Sequence, residues 1–404
     1  MLYLASFSLA AAFLLETSIL GGAFSHYLSL PRWAGVFTLI FISIASAGIR
    51  SSPKVDQSTL FLLIGFGAFF VLDIGFGVFH ALYAAKVILL LLFFVLAPHS
   101  KEILALSAKF LLLVFNVALV LTCINFLLPD SLLLEPSYLT ELRRFDEGDG
   151  NRPLYSMYNF GGLIMSGDNF VSFAGYDFSR YSGYFTEPSV YIFAYLAVTI
   201  IVAASFGLGR IKKLFLVINL LGTFSVTAAV IVAAFLSAKL WQSRFRAIFI
   251  ISLPALLMFF SVFGLGHVGL SPDNYLAKKF SGSGGITLSL WIDGLQQANL
   301  AGTSSFNARI GNFDIQNISI ISLISAYALF GAMLAAFVKK GLQFAVQPDN
   351  ANLLSLIALM IILTVIAKAP NHALFSWFSI ALLFFFWRVD TRPPTAEQQS
   401  GLTA

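Results

Sequence analysis

The segment at residues 180–189, RYSGYFTEPS, places an arginine, a carboxylate and aromatic residues directly before a strongly apolar run. A guanidinium group offers a planar set of donors that matches phosphate. A carboxylate can take a proton from a hydroxyl. Arg180 is therefore a candidate phosphate ligand and Glu187 a candidate base. Helix capping explains part of the pattern, because Thr186 suits an N-cap, while Glu187 and Pro188 suit a first turn.

Capping does not explain the arginine, the glycine or the aromatic residues of this segment. Aromatic side chains beside an arginine suit a sugar ring or the membrane headgroup zone. A second arginine, Arg309, lies in another polar stretch, FNARIGNFD. Lys368 and His372 lie in AKAPNHALFSW, at the end of an apolar run. Lys368 has two interpretations, a lysine that extends to the membrane interface and a ligand for an anion.

Several ionisable residues fall inside apolar runs. Asp73 and Lys86 lie at similar distances from the FHA turn at 79–81, so an antiparallel hairpin would bring them to the same depth. We expect them to form an ion pair, since a buried charge needs a partner; a proton or substrate relay is the alternative. Glu16 and Lys109 have no evident partner in the sequence, and we expect each to have an inward-facing structural role.

The composition predicts the class of protein to which these residues belong. Hydrophobic residues make up 58% of the 404 residues and charged residues 11%, against about 25% charged in a soluble domain. The mean hydropathy is +0.87. The chain is therefore predicted to be an integral membrane protein. Its single cysteine, Cys123, excludes an internal disulfide and a cysteine-based metal site.

The apolar runs predict an all-α polytopic membrane protein with about twelve transmembrane helices. The predicted spans are 3–24, 33–49, 59–79, 81–98, 103–128, 189–208, 214–223, 226–240, 247–265, 317–337, 352–368 and 373–387. The run at 214–240 can be read as one helix or as two. With two helices and a cytoplasmic N-terminus, every basic cluster in a short loop faces the cytoplasm, so we predict two.

The predicted spans divide the chain into six parts: helices at 1–128, a large extracytoplasmic loop at 129–188, helices at 189–265, a second extracytoplasmic loop at 266–316, helices at 317–387, and a disordered cytoplasmic tail at 388–404. The first run lacks a basic start and contains Glu16, so we expect it to be retained as a helix. Most polar residues without a structural explanation lie in the two outward loops. Any chemistry is therefore expected to face outward.

The same residues resemble a known family. The pattern Arg180-x-x-Gly183-x-Phe185-x-Glu187-Pro188-Ser189, where an outward loop meets a span, is similar to the signature of Wzy-type polysaccharide polymerases. These enzymes join the repeat units of O-antigen, capsule or exopolysaccharide. The resemblance extends to the short helix pair around GTFSVTAAVIV, the loop with Arg309, and NISIISLISAYALFGAML. It implies a GT-C-like fold in the bacterial inner membrane, with its site facing the periplasm.

The resemblance implies a glycosyltransferase that needs no metal and no cofactor. It would transfer a growing glycan from undecaprenyl diphosphate to the non-reducing end of a lipid-linked repeat unit. Its partners would be this lipid-linked oligosaccharide, membrane lipids and a chain-length regulator protein, and no nucleic acid. The resemblance implies that Glu187 is the base and that Arg180 and Arg309 form a clamp for the diphosphate. It implies supporting roles for Gly183, Ser189, Lys368 and His372.

Three alternatives follow from the same features. O-antigen ligases resemble the chain in loop placement but set a histidine in the second loop, where this chain has His267 near the membrane end. Metal-dependent glycosyltransferases carry an acidic pair in the first outward loop, but that loop is SHYLSLPR here and contains no acid. The acidic cluster DEGD at 146–149 lies in a later loop, and we favour a solvated turn over a metal site for it. A transporter or flippase of lipid-linked sugars predicts internal repeats and polar residues at mid-membrane, and no repeat is evident.

Overall fold

The computed structural model describes the chain in segments, and helices dominate them. The described residues are 1–18, 20–21, 25, 28–49, 81–125, 155–156, 165–173, 176–181, 183–185, 188–207, 209–223, 308–310, 313–315 and 377–387. The helices are α1 (Leu2–Thr17), α2 (Arg32–Ala47), α3 (Ala81–Leu96), α4 (Ser100–Asn125), α5 (Pro188–Phe206), α6 (Arg210–Gly222) and α7 (Trp377–Trp387). The predicted helical class is thus confirmed for this part of the chain.

Two small antiparallel sheets lie in the segments predicted as outward loops. Strands β1 (Tyr155–Ser156), β2 (Met165–Phe173) and β3 (Tyr176–Tyr181) form one sheet in that order, and β4 (Ala308–Ile310) pairs with β5 (Phe313–Ile315) in the other. The β2–β3 hairpin closes with Phe173 opposite Tyr176, and its register shifts between Met165 and Phe170. The sequence analysis did not anticipate these strands. They bring β3 to the start of α5.

Helix α4 is the centre of the packing, since it contacts α1, α3, α5, α6 and α7. Its buried residues recur every three or four positions, as on one face of a helix, and they include Ile103, Leu111 and Phe115. The opposite face is also mainly apolar, with Leu113 and Val117 exposed and one charged residue, Lys109, on the same side. A helix that is apolar on all sides is typical of a membrane span or of a large core.

One helix in the described part of the chain, Ser100–Leu121 within α4, is long and apolar enough to cross a membrane by length and composition. Shorter apolar helices occur at Leu2–Thr17, Arg32–Ala47, Ala85–Leu96 and Val190–Phe206. This finding agrees with the predicted membrane association. The count of twelve spans stays a prediction.

Small residues allow α1 to pack closely against α2 and α4. Ala5 and Ser6 are fully buried. Ser43 of α2 donates a hydrogen bond to the Ala5 carbonyl at 2.8 Å, and Ser107 of α4 donates to the Ser6 carbonyl at 2.8 Å. Small residues with hydrogen bonds between helices are the packing mode that apolar helices use in a membrane.

The predicted spans 33–49, 81–98, 103–128 and 189–208 coincide with α2 to α5 to within a few residues. Helix α1 ends at Thr17, and helical residues resume at Leu20 and Gly21, so the predicted span 3–24 is interrupted at Ser18. The Ser18 side chain explains this end, because its hydroxyl accepts from the Leu20 N–H at 3.2 Å and donates to the Leu14 carbonyl, which offers the backbone an alternative to a further helical turn. The predicted span 214–223 corresponds to α6, which begins four residues earlier, at Arg210, and ends at Gly222. The remaining predicted spans lie at least partly outside the described residues.

Two expectations about charged residues were wrong. Glu16 is not solitary, because Lys86 Nζ donates a hydrogen bond to its Oε1 at 2.6 Å. The two residues are far apart in sequence, so the pattern of a single hairpin does not reveal the contact. The expected partner of Lys86, Asp73, lies outside the described residues. The burial of Glu16 agrees with the inward-facing role expected for it. The same expectation for Lys109 was wrong, because Lys109 is exposed on α4, with Nζ 5.5 Å from the centre of the Phe206 ring.

Candidate functional site

The aromatic residues of segment 180–189 point into the protein. Strand β3 ends at Tyr181 and α5 begins at Pro188. Between them, Tyr184 and Phe185 are buried, as is Tyr181 itself. These three side chains therefore lie in the core, and not in either of the two settings that the sequence suggested for them, a sugar ring or the headgroup zone. Their burial anchors the chain between β3 and α5 to the helices below.

Gly183 has a conformation and a position that exclude other residues. Its φ is +56°, in the left-handed region that glycine adopts without steric cost. A Cβ atom built on Gly183 would lie 2.8 Å from Cε2 and 2.9 Å from Cδ2 of Tyr191. The backbone of the segment therefore lies directly on the Tyr191 ring. This explains why the motif has a glycine here.

Tyr191 joins this segment to the helices. Its side chain is 1% exposed, and its ring lies edge-on to the Tyr181 ring with centroids 5.0 Å apart. It also contacts the rings of Phe115, Phe185 and Tyr195 at 5.7–5.9 Å. Such aromatic pairs contribute about 0.5–1.5 kcal/mol each beyond their burial. The segment is thus held by an aromatic cluster that α4 and α5 supply.

A buried polar network lies beneath this aromatic cluster. The Tyr191 hydroxyl donates to Asn219 Oδ1 on α6. Asn219 Nδ2 donates to the Tyr195 hydroxyl and to Asn116 Oδ1, both at 3.2 Å, and Tyr195 donates to Asn116 at 3.0 Å. The Phe215 carbonyl also lies 2.8 Å from Asn219 Nδ2, so the two hydrogens of this NH₂ group are shared among three acceptors. Helices α4, α5 and α6 are therefore linked by side chains that satisfy one another, as buried polar groups must be.

Tyr184 connects segment 180–189 by packing to α4 and to Leu20, a residue that follows α1. It packs with Ala118 of α4, and Leu20 and Val114 pack against this pair. Burial raises the pKa of the Tyr184 phenol above its usual value, because the apolar surroundings disfavour the phenolate. Tyr184 therefore stays neutral at physiological pH and acts here as a packing residue.

Besides Gly183, three more of the seven predicted site residues lie in helices or strands that the structure describes. Arg180 is the residue before the last in β3, and Ser189 is the second residue of α5. Arg309 lies at the middle of β4, directly opposite Asp314 of β5. Glu187, Lys368 and His372 lie outside the described residues. Convergence of Arg180, Glu187 and Arg309 in one cavity stays a prediction.

Sequence reasoning missed Tyr191, Asn219 and Asn116. The two asparagines are polar residues within apolar helices, and this was a signal that they need partners inside the protein. Pairing between them could not be read from the sequence, because Asn116 and Asn219 are separated by the whole of the outward loop. Their role here is to support the segment that carries Arg180.

A second polar cluster lies at the C-terminal end of α1 and the N-terminal end of α2, with a residue from α3. We call Glu16, Arg32 and Lys86 the Glu16 cluster. Lys86 Nζ bonds Glu16 Oε1 at 2.6 Å, and Arg32 Nε lies 3.9 Å from Glu16 Oε2. The Glu16 side chain is 6% exposed and that of Arg32 is 39% exposed. The carboxylate is thus buried between two cations, and the cluster meets the surface at Arg32.

Among the described residues, no group of three or more histidine, cysteine, aspartate or glutamate side chains could hold a metal ion. Comparison of the chain with models of known protein families, with curated proteins and with solved structures finds no match. The case for a function therefore depends on the residues themselves.

Proposed function

We propose that the protein is a Wzy-type polysaccharide polymerase of the bacterial inner membrane. The observation that supports this proposal is the geometry of segment 180–189. Gly183 at positive φ lies on Tyr191, and the neighbouring aromatic side chains are buried. The arrangement fixes the backbone at Gly183, which lies between Arg180 and the start of α5 at Pro188. Residues that must act on one substrate need such a rigid support.

The proposed reaction moves a glycan between two lipid carriers on the outer side of the membrane. The bond between the anomeric carbon of the growing chain and the oxygen of undecaprenyl diphosphate breaks, and the diphosphate leaves with the electron pair. A bond forms between that carbon and a hydroxyl oxygen of the new lipid-linked repeat unit. Glu187 takes the hydroxyl proton, while Arg180 and Arg309 stabilise the charge that develops on the diphosphate.

The placement of the two arginines is compatible with these roles. Arg180 lies at the end of a hairpin that leads into α5, and Arg309 lies in a second short hairpin. Both are thus on strands within the polar stretches that the sequence assigns to the outer face. Arg309 is paired with Asp314 in the register of the β4–β5 ladder. Backbone pairing restricts both positions more than an irregular loop would.

The proposal is tested in a strain from which the gene has been deleted, complemented with wild type or with Glu187→Gln. Surface polymer length is measured together with the amount of protein in the membrane. A polymerase without its base leaves single repeat units at the surface, because export and attachment continue. Long polymer from the variant at normal level would refute the role of Glu187. Glu102→Gln is the matched control, since Glu102 is an exposed acid paired with His99 at 2.8 Å.

The full deletion separates polymerase from the two nearest alternatives. Loss of the polymerase shortens the surface polymer to one unit. Loss of an O-antigen ligase or of a flippase removes every unit from the surface, because attachment or export then fails. A surface without single units in the deletion strain would therefore contradict the proposed function.

A further inference from the structure

Two neighbouring helices carry exposed stripes with the same pattern, a cation followed by three apolar residues. The members of each stripe are exposed and lie at offsets of zero, four, eight and eleven residues. Such offsets place side chains on one face of a helix. The α4 stripe consists of Lys109, Leu113, Val117 and Val120. The α6 stripe consists of Arg210, Leu214, Ile218 and Leu221. The repeated pattern indicates that both faces meet the same kind of surroundings.

The cations of the two stripes lie at the same end of the helices. Phe115 of α4 contacts Tyr195 in the first half of α5, whereas Lys109 Nζ lies 5.5 Å from the ring of Phe206, the last residue of α5. Helices α4 and α5 are therefore antiparallel. Helix α6 begins four residues beyond Phe206, at Arg210, and returns along α5 to the polar network that the three helices share. Lys109 and Arg210 thus both lie next to the Phe206 end of α5.

Lys109 lies deep in α4 for a charged residue on an exposed face. It is nine residues after Ser100, the first residue of α4, which corresponds to about 13 Å along the helix. An ammonium group at such a depth in hydrocarbon is costly unless it extends to the interface or meets an opposite charge. The Cα–Cβ bond of a helical residue tilts toward the helix N-terminus, and in α4 that direction leads to Phe206. Lys109 is therefore directed toward the end where Arg210 begins α6.

These cations are accessible, and their charge is not balanced by a carboxylate within the described part of the chain. Lys109, Arg210 and Lys213, one turn after Arg210, are exposed. None of the ion pairs among the described residues involves them. The C-terminal end of α5 favours a nearby cation, and the Phe206 ring contributes a cation–π contact to Lys109. Both effects concern one cation, whereas the two helices supply three.

The length of the stripes matches one leaflet of a bilayer. Arg210 and Leu221 are eleven residues apart, or about 16 Å along the helix, and half of the hydrocarbon core is about 15 Å. A phospholipid with a net negative charge has the same arrangement, an anionic phosphate at one end of apolar chains. A zwitterionic headgroup also brings a cation, which the basic residues would repel. A purely apolar partner helix would leave the basic residues without a counter-charge.

We propose that the α4 and α6 stripes bind an anionic phospholipid of the membrane, whose phosphate lies between Lys109 and Arg210 and whose acyl chains lie on the apolar residues of the stripes. Pro188 and Phe206, at the two ends of α5, are eighteen residues apart, or about 27 Å. The lipid site is therefore at the far end of α5 from segment 180–189. It goes beyond the proposed function and does not depend on it.

Lys109→Gln combined with Arg210→Gln tests the site by removing two charges with little change of length. The full-length protein in detergent micelles is titrated with phosphatidylglycerol, and bound lipid is counted by native mass spectrometry. Each basic residue near an anionic headgroup contributes about fivefold in affinity, the equivalent of about 1 kcal/mol. We therefore expect the first phosphatidylglycerol to bind about 25-fold more weakly to the variant. Phosphatidylcholine is expected to bind weakly to both proteins.

Lys339→Gln combined with Lys340→Gln is the matched control, because it removes two charges from another predicted cytoplasmic connection. Phosphatidylglycerol is expected to bind this control as it binds wild type. Equal weakening in both double variants would show that lipid responds only to the net charge, and the site would be refuted. Unchanged binding in Lys109→Gln/Arg210→Gln, or wild-type protein that does not prefer phosphatidylglycerol to phosphatidylcholine, would also refute it.

A second measurement covers the case in which the double variant is destabilised, as expected if Lys109 only caps α5. Thermal unfolding is measured with and without phosphatidylglycerol, and the shift on adding lipid is compared. A lipid that binds the native state raises the midpoint by mass action, so wild type and Lys109→Arg should show the shift and the double variant should lose it. A double variant with a lower midpoint but the full shift would show that these cations stabilise the helices and bind no lipid.

Discussion

Replacement of Gly183 by alanine is expected to destabilise the segment that carries Arg180, for two separable reasons. The left-handed backbone costs a residue with a Cβ about 1–2 kcal/mol. The new Cβ would also lie 2.8 Å from Cε2 of the buried Tyr191 ring, and overpacking of this kind costs about 1–3 kcal/mol. The sum is about 2–5 kcal/mol. Even about 2 kcal/mol shifts the population of the native conformation roughly 30-fold.

Three other glycines separate the two contributions. Gly48 and Gly207 have φ of +78° and +70°, and a Cβ on either would meet nothing within 4 Å. Their alanine variants are expected to show the backbone cost alone. Gly209 has neither a positive φ nor a close neighbour, so Gly209→Ala serves as the neutral control. The expected order of destabilisation is Gly183 first, then Gly48 and Gly207, then Gly209.

Thermal unfolding of the purified variants in detergent measures the stability order, and polymer length in the complemented deletion strain measures function. We expect Gly183→Ala to shorten the polymer, whereas Gly48→Ala, present in the membrane in the same amount, should not. A midpoint for Gly183→Ala equal to that of Gly48→Ala would refute the contact with Tyr191. Normal polymer from a clearly destabilised Gly183→Ala would refute the need for a fixed segment.

Three further substitutions test the supports and the clamp. Tyr191→Phe keeps the ring but leaves Asn219 Oδ1 buried without its donor, so the unfolding midpoint should fall by the equivalent of about 1–3 kcal/mol; Tyr3→Phe, at an exposed tyrosine, should leave it unchanged. Ser107→Ala removes the bond from α4 to α1 and should cost about 1 kcal/mol, which the same unfolding measurement detects. Arg309→Lys replaces a planar fork by a point charge, and we expect shorter polymer at normal protein level; full activity would contradict a diphosphate clamp.

The positions of the helices follow from the sequence because hydropathy is a property of consecutive residues. Apolar runs bounded by polar ones predicted α3 and α5 with errors of one or two residues. Residues with their own conformational rules were also readable: Pro188 was expected in the first turn of a helix and is the first residue of α5. The motif residues around it were identified by type and spacing, although not by what they contact.

The partners of the polar residues were decided by the tertiary structure alone. Lys86 bonds Glu16, which is 70 residues away, because three helices bring their ends together, and depth in a neighbouring hairpin could not predict that contact. The tyrosines near Arg180 have types that suit both a sugar and a core, and packing against Tyr191 places them in the core. A sequence specifies which side chains need partners; the packing of helices that are distant in the chain determines which partners they find.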